Sequence, residues 1–319
     1  MGDDFPTQGR PSCGPRADPP WASAPVGVPL PIAVTQPKPA SSKVESQPVP
    51  KKRSWLGRLV IVLLLSLGVW GFYEYATLPD PRGLIDKNPE TTALIRTRDE
   101  AARSEGKNPR HRQYWVSLGS IAPLAVDSVI ASEDASFFIH HGIDLDEARK
   151  ALDQAWEKGS LGRGASTITQ QLAKNLWLSG DRSLLRKAKE LILARHLENA
   201  LAKKRILELY LNVVEWGNGV YGIEAGSREH FGISASQLSV GQGAVLAAML
   251  PSPRRWTPER HSRALRKRAL WIVDRLEKVG KISADEGDLA RSDIERLLAK
   301  DQTTPEPAEE PDPALEDER

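Results

Sequence analysis

The run at residues 59–73, LVIVLLLSLGVWGFY, carries no charge and is closed off by Arg58 and Glu74. A bilayer core of about 30 Å needs about 20 helical residues at 1.5 Å each. The run reaches across if Trp55 and Leu56 extend it, with Arg58 snorkelling back to the surface. Trp55, Trp70, Tyr73 and Tyr75 then stand at the interfaces, where aromatic rings gather. A secretory leader usually starts nearer the first residue and ends in a small-x-small site, so the reading is a retained anchor. Lys51, Lys52, Arg53 and Arg58 precede the run, whereas Glu74 and Asp80 follow it. The positive-inside rule therefore predicts a cytoplasmic N-terminus, with everything after Tyr75 on the outer side.

Composition divides the rest. Residues 1–50 are rich in Pro, Ser, Ala and Gln without apolar periodicity, which predicts a disordered cytoplasmic tail. Residues 299–319 read the same way, with an acidic bias. Residues 51–76 form the basic flank and the anchor, residues 77–90 a connector punctuated by Pro79, Pro81 and Pro89, and residues 91–298 one globular domain. A net charge of +2 gives no global field towards nucleic acid. The single Cys13 excludes a disulfide framework and a cysteine metal site.

The globular part reads as helices. Residues 122–132 place Leu124, Val126, Val129 and Ile130 on an amphipathic turn pattern. Asp144 is the predicted cap of a second helix, with Glu147 as its capping-box partner. That helix runs through Leu145, Ala148, Leu152 and Trp156 and stops at Gly159. Ile168, Leu172 and Leu176 mark one face of a third. Residues 184–201 give a fourth, with Leu184, Ala188, Leu191, Ile192 and Leu197 predicted inward. A fifth holds Ile206, Leu207, Leu209, Tyr210 and Leu211, and residues 236–250 and 260–278 complete the set. Few segments alternate and none repeat, so the expected class is mainly α.

Four constellations carry polar chemistry. In Glu133-Asp134-Ala-Ser-Phe137-Phe-Ile-His140-His141-Gly142 a carboxylate pair sits where a helix gives way to a loop. Such a pair serves either as solvated end charges or as a tuned base. Adjacent histidines point apart and lack a third ligand, which favours packing or hydrogen bonding over metal. In Ser166-Thr167-Ile168-Thr169-Gln170-Gln171-Leu172-Ala173-Lys174-Asn175 the predicted cap is Ser166, leaving amides for an anion. Gln170 and Lys174 share one face, and Gln171 and Asn175 the next. Arg186-Lys187-Ala188-Lys189-Glu190 is either a surface ion pair or a phosphate-holding nest with Arg182, and spacing does not choose. Residues 210–222, YLNVVEWGNGVYG, are either a connector or a loop whose Trp216 and Tyr221 stack on a sugar.

Taken in order, EDASFFIHHG, GASTITQQLAKN, RKAKE and ILELYLNVVEWGNGVYGIEA resemble the successive motifs of the peptidoglycan glycosyltransferases of family 51, in its monofunctional biosynthetic branch. These enzymes polymerise lipid II into glycan strands. The similarity covers roughly residues 90–260. It implies a lysozyme-like helical lobe with a smaller membrane-proximal jaw. It implies that Glu133 is the general base and Glu190 the second essential glutamate, assisting at the leaving diphosphate. Lys174 and Arg182 match diphosphate-holding positions, with Arg186 and Lys189 beside them. Ser166, Thr167, Gln170, Gln171 and Asn175 lie in the motif lining the donor cleft, and Asp134, Phe137 and His140 match positions shaping the acceptor side. Mg²⁺ or Mn²⁺ is the one candidate cofactor, and no organic cofactor is implied. The implied partners are lipid II, the nascent strand and the bacterial membrane, with other wall-synthesis or division proteins as further candidates and no nucleic acid. The implied location is the inner membrane, with the catalytic domain periplasmic. The rival readings are a lytic transglycosylase and an inactive scaffold. Two departures from the pattern stand out. Gln242-Gly243-Ala244 replaces the usual Glu-Ala-Ala, and His230 replaces the aromatic before Phe-Gly.

Overall fold

A computed structural model describes residues 55–158, 166–178 and 183–299. The predicted tail at 1–50, nearly all of that at 299–319, Gly159 and the side chains of Leu152 and Trp156 lie outside the described residues. The first helix, α1 (Trp55–Ala76), is continuous over 22 residues and buries none of them. At 1.5 Å per residue it is about 33 Å long, enough to cross the hydrocarbon of a bilayer.

The fold is mainly α, a lysozyme-like helical lobe that follows the long apolar helix α1. After α2 (Ala93–Ser104) and a two-residue strand β1 (Arg112–Gln113) comes α3 (Pro123–Glu133). Pro123 opens α3 where its missing N–H is harmless. Then follow α4 (Leu145–Lys158), α5 (Ile168–Trp177), α6 (Leu184–Ala200) and α7 (Lys203–Val213). A hairpin of β2 (Glu215–Gly217) and β3 (Val220–Tyr221) leads into α8 (Ile223–Phe231). The last helices among the described residues are α9 (Val240–Met249), α10 (Arg263–Lys278) and α11 (Ala284–Leu297). The apolar α9 is the hub for α3, α10 and α11, whereas α5 is the hub for α2, α6 and α7.

β3 lies between β1, to which it is parallel, and β2, to which it is antiparallel. Gly219 turns the hairpin at φ +70°, where a Cβ would strike the Arg110 carbonyl. Trp216 and Tyr221 are fully buried in this small sheet. They are core residues, which rules out the sugar-stacking alternative.

The inward face of α6 also differs from expectation. Leu184 is 92% exposed, Ala188 is exposed, and Leu191 and Ile192 are only half-buried. The buried stripe is Glu190, Leu193, Ala194 and Leu197, spaced i, i+3, i+4 and i+7. A carboxylate occupies a core position, so counting apolar residues alone rotates the face.

Gln242 completes a capping box with Ser239, each side chain accepting the other's backbone N–H. An amide serves there as well as a carboxylate. Gly243 faces α3, and a Cβ on it would lie 2.8 Å from the Ala125 Cα. Gly243→Ala is expected to destabilise the fold by about 1–3 kcal/mol through overpacking, read as a lower denaturation midpoint at an unchanged m-value.

Candidate active site

Glu133 is the last residue of α3 and Asp134 its C-cap, and they face different surroundings. The Glu133 side chain is 10% exposed. Its Oε2 accepts from Gln171 Nε2 at 2.8 Å. Its Oε1 accepts from Arg268 Nη2 at 3.1 Å and from the Ser132 hydroxyl at 3.3 Å. Gln171 Oε1 accepts from the Tyr210 hydroxyl at 3.0 Å. Burial, reinforced by the charges of Glu133 and Asp134, holds the Tyr210 phenol well above its usual pKa, so it remains a donor. That fixes the Gln171 amide with its NH₂ towards Glu133.

Asp134 turns inward. Its carboxylate accepts from the Ile168 N–H at 2.9 Å and from His140 Nε2 at 2.9 Å. Burial raises its pKa, and these two hydrogen bonds only partly offset the shift. The Gly142 N–H donates to His140 Nδ1 at 3.1 Å, which leaves the ring proton on Nε2 for Asp134. Gly142 adopts φ +88°. Its carbonyl accepts from the Thr167 hydroxyl at 2.7 Å. The cap of α5 is therefore Thr167, not Ser166, with its oxygen accepting from the Gln170 N–H. The amides expected to await an anion are already engaged, and the anion at the start of α5 is Asp134. Phe137 is fully buried, with the Lys203 ammonium 4.4 Å from its ring centre. Asp134, Phe137, His140 and Thr167 thus staple α3 to α5.

Glu190 is only 3% exposed. It accepts from Lys187 Nζ at 2.5 Å and from Arg186 Nη1 at 3.1 Å. Lys187 Nζ also donates to the Ser166 hydroxyl at 3.1 Å and to Gln170 Oε1 at 3.2 Å. Adjacent glutamines on α5 thus reach opposite acids, Gln171 directly and Gln170 through Lys187. Lys174, one turn beyond Gln170, is exposed, but neighbouring protein takes some water from its ammonium. That desolvation lowers its pKa, Glu190 opposes the shift, and Arg186 and Lys187 add to it. Glu133 opposes the shift as well. Asn175 is buried.

Two expectations change here. Lys189 does not face the nest: it pairs with Glu74 of α1 at 2.5 Å. Lys187 takes the inward place instead, since i and i+3 on a helix share a face and Glu190 is three residues on. Arg182 lies outside the described residues. Arg268 was not legible, because its pairing with Glu133 spans 135 positions. A cavity of about 300 Å³ adjoins Glu133, bordered by Ser132, Ser136, Asp144, Trp271 and Arg275.

Residues 99–277 match the family model described as Transglycosylase. The chain belongs to this transglycosylase family. It is 40% identical over 224 residues to the biosynthetic peptidoglycan transglycosylase of Nitrosospira multiformis, covering 70% of this chain and 96% of that protein. The protein of the same name from Bordetella avium is 42% identical over 233 residues, covering 72% and 97%. That from Thiobacillus denitrificans is 41% identical over 221 residues, covering 68% and 93%.

In this transglycosylase the His230 side chain is buried, being 4% exposed. Nε2 donates to the Trp216 carbonyl at 2.7 Å and Nδ1 to Glu259 at 3.3 Å. Burial pulls its pKa down, but the hydrogen bonds to Glu259 and Trp216 outweigh it, and the net shift is upward from 6.5. The His230 hydrogen bond holds Glu259 at about 2. The histidine's stabilisation is therefore full below pH 6.5 and lost as pH rises through its raised value. The melting-temperature advantage over His230→Gln is expected to shrink between about pH 6 and about pH 8, measured by thermal denaturation at each pH.

Proposed function

We propose that this membrane-anchored peptidoglycan glycosyltransferase joins lipid II units through β1,4 bonds with inversion at C1. The acceptor 4-hydroxyl oxygen attacks the donor C1, its proton passes to Glu133, and the C1–O bond breaks with its electron pair leaving on undecaprenyl diphosphate. Gln171 and Arg268 aim the Glu133 carboxylate. Lys174, Lys187 and Arg186 receive the charge that develops on the leaving group, where pre-placed cations act most strongly. Glu190 holds two of those cations in position. The observation that carries this reading is that adjacent glutamines of α5 engage the two acids, Gln171 holding Glu133 beside a cavity and Gln170 joining Lys187 and Glu190 in a cationic nest.

Among the described residues no group of three or more His, Cys, Asp or Glu converges on a point, and Glu190 is already engaged by Lys187 and Arg186. A Mg²⁺ or Mn²⁺ taken up with the donor would be held mainly by its diphosphate oxygens and needs no such cluster; no step is routed through one. By the charge asymmetry around it, α1 spans the inner membrane with its N-terminus cytoplasmic and the catalytic domain periplasmic. The purified chain with lipid II in detergent is expected to yield polymeric glycan. Release of anhydro-muropeptides from preformed glycan, with no polymer formed, would favour the lytic reading instead.

A further inference from the structure

The cleft has a wall that the chemistry above leaves unused. α10 carries Arg268, Trp271 and Arg275 at i, i+3 and i+7, one stripe along the helix. Arg268 ends on Glu133, so the stripe leads away from the base along the same face. α10 packs on the core through Leu265, Ala269, Ile272, Val273 and Leu276. Trp271 is not part of that packing: it is 44% exposed and borders the cavity that contains Glu133. The Arg275 guanidinium lies 5.2 Å from the centre of a Trp271 ring, bracing the indole by a cation–π contact. The same cavity is bordered by the Ser132 and Ser136 hydroxyls and the Asp144 carboxylate.

An apolar ring face with hydroxyls and a carboxylate around it suits a neutral, hydroxyl-rich ring. It suits a diphosphate less, because Glu133, Asp144 and Glu147 border the same space and outnumber its one bordering cation among the described residues, Arg275, which lies over the Trp271 ring. The cations that would welcome a diphosphate gather at Glu190, around Gln170 and the Ser166 rim of the cavity, away from Trp271 in sequence and element. We propose that Trp271, braced by Arg275, is the platform on which the acceptor sugar stacks to bring its 4-hydroxyl to Glu133. This rests on the polymerisation reading and adds to it the residues that set acceptor affinity. Neither residue moves a proton; both position.

The test is an elongation assay with a short lipid-linked glycan held saturating as donor and lipid II varied as acceptor. Trp271→Ala is expected to raise the acceptor KM about tenfold, the scale of one lost aromatic contact, with kcat and melting temperature close to wild type. Trp271→Phe should recover most of the affinity, because it restores a ring face, and Arg275→Met should fall between. An unchanged acceptor KM in Trp271→Ala overturns the platform while leaving polymerisation intact. So does an equal loss of kcat and donor affinity, which would indicate a structural role. A wild-type chain inactive on lipid II would end the polymerisation reading, and the platform with it.

Discussion

Glu133→Gln is expected to lower strand synthesis from lipid II by about 10²–10⁴-fold, the usual contribution of a positioned general base. The amide keeps the volume and can still meet Gln171, but it cannot take a proton. The substitution also removes the counter-charge of Arg268, whose Nη2 lies 3.1 Å from Glu133. Some stability is lost with that half-buried pair, so the variant's melting curve must accompany its rate. The effect should appear in kcat, because the proton moves only as the new bond forms. Arg268→Ala is expected to lose less, since the base survives with Gln171 and Ser132 still holding it. Unchanged turnover in a folded Glu133→Gln would remove that carboxylate from the mechanism. If Arg268→Ala proved as damaging as Glu133→Gln, the guanidinium would have to act on the substrate itself.

What the sequence made legible was local. The apolar run gave α1, four-residue spacings gave α5 and α7, and ordered motifs gave both acids. The three helices it missed are poor in apolar residues. α2 buries only Ala93 and Ile95, and α11 only Gly287, Ala290 and Ile294. α8 contains Gly226, a helix breaker by propensity. It is tolerated because a Cβ there would lie 2.8 Å from that of Trp216. Tertiary closeness overrides propensity at that point, and no local pattern records it. The site behaved similarly. Glu133 and Glu190 stood out as types, but which side chains would touch them depended on long-range folding. Gln171 and Arg268 reach Glu133 from 38 and 135 positions away. The choice of Lys187 over Lys189 turned on the rotation of α6, which the buried Glu190 sets.

That rotation makes the second large prediction. Lys187→Ala is expected to reduce kcat by about 10²–10³-fold, comparable to deleting one pre-placed donor for a developing anion. Its ammonium has three protons and three partners in place: Glu190, Ser166 and Gln170. A departing diphosphate oxygen can replace either neutral partner without moving the nitrogen, so the stabilisation needs no reorganisation. Glu190 keeps Arg186 after the substitution, and Lys187 itself is 41% exposed. The loss of stability should therefore be modest beside the loss of rate. Lys187→Arg keeps the charge but spreads it over a planar fork, and is expected to recover only part of the activity. Lys189→Ala is the internal comparison. The same motif and the same charge are altered, yet that side chain faces Glu74, so most of the rate should remain. Polymerisation rates of the three variants, with melting temperatures alongside, decide the matter. If Lys189→Ala were the damaging change and Lys187→Ala the mild one, α6 would have to be turned the other way, and the buried place of Glu190 would go with it.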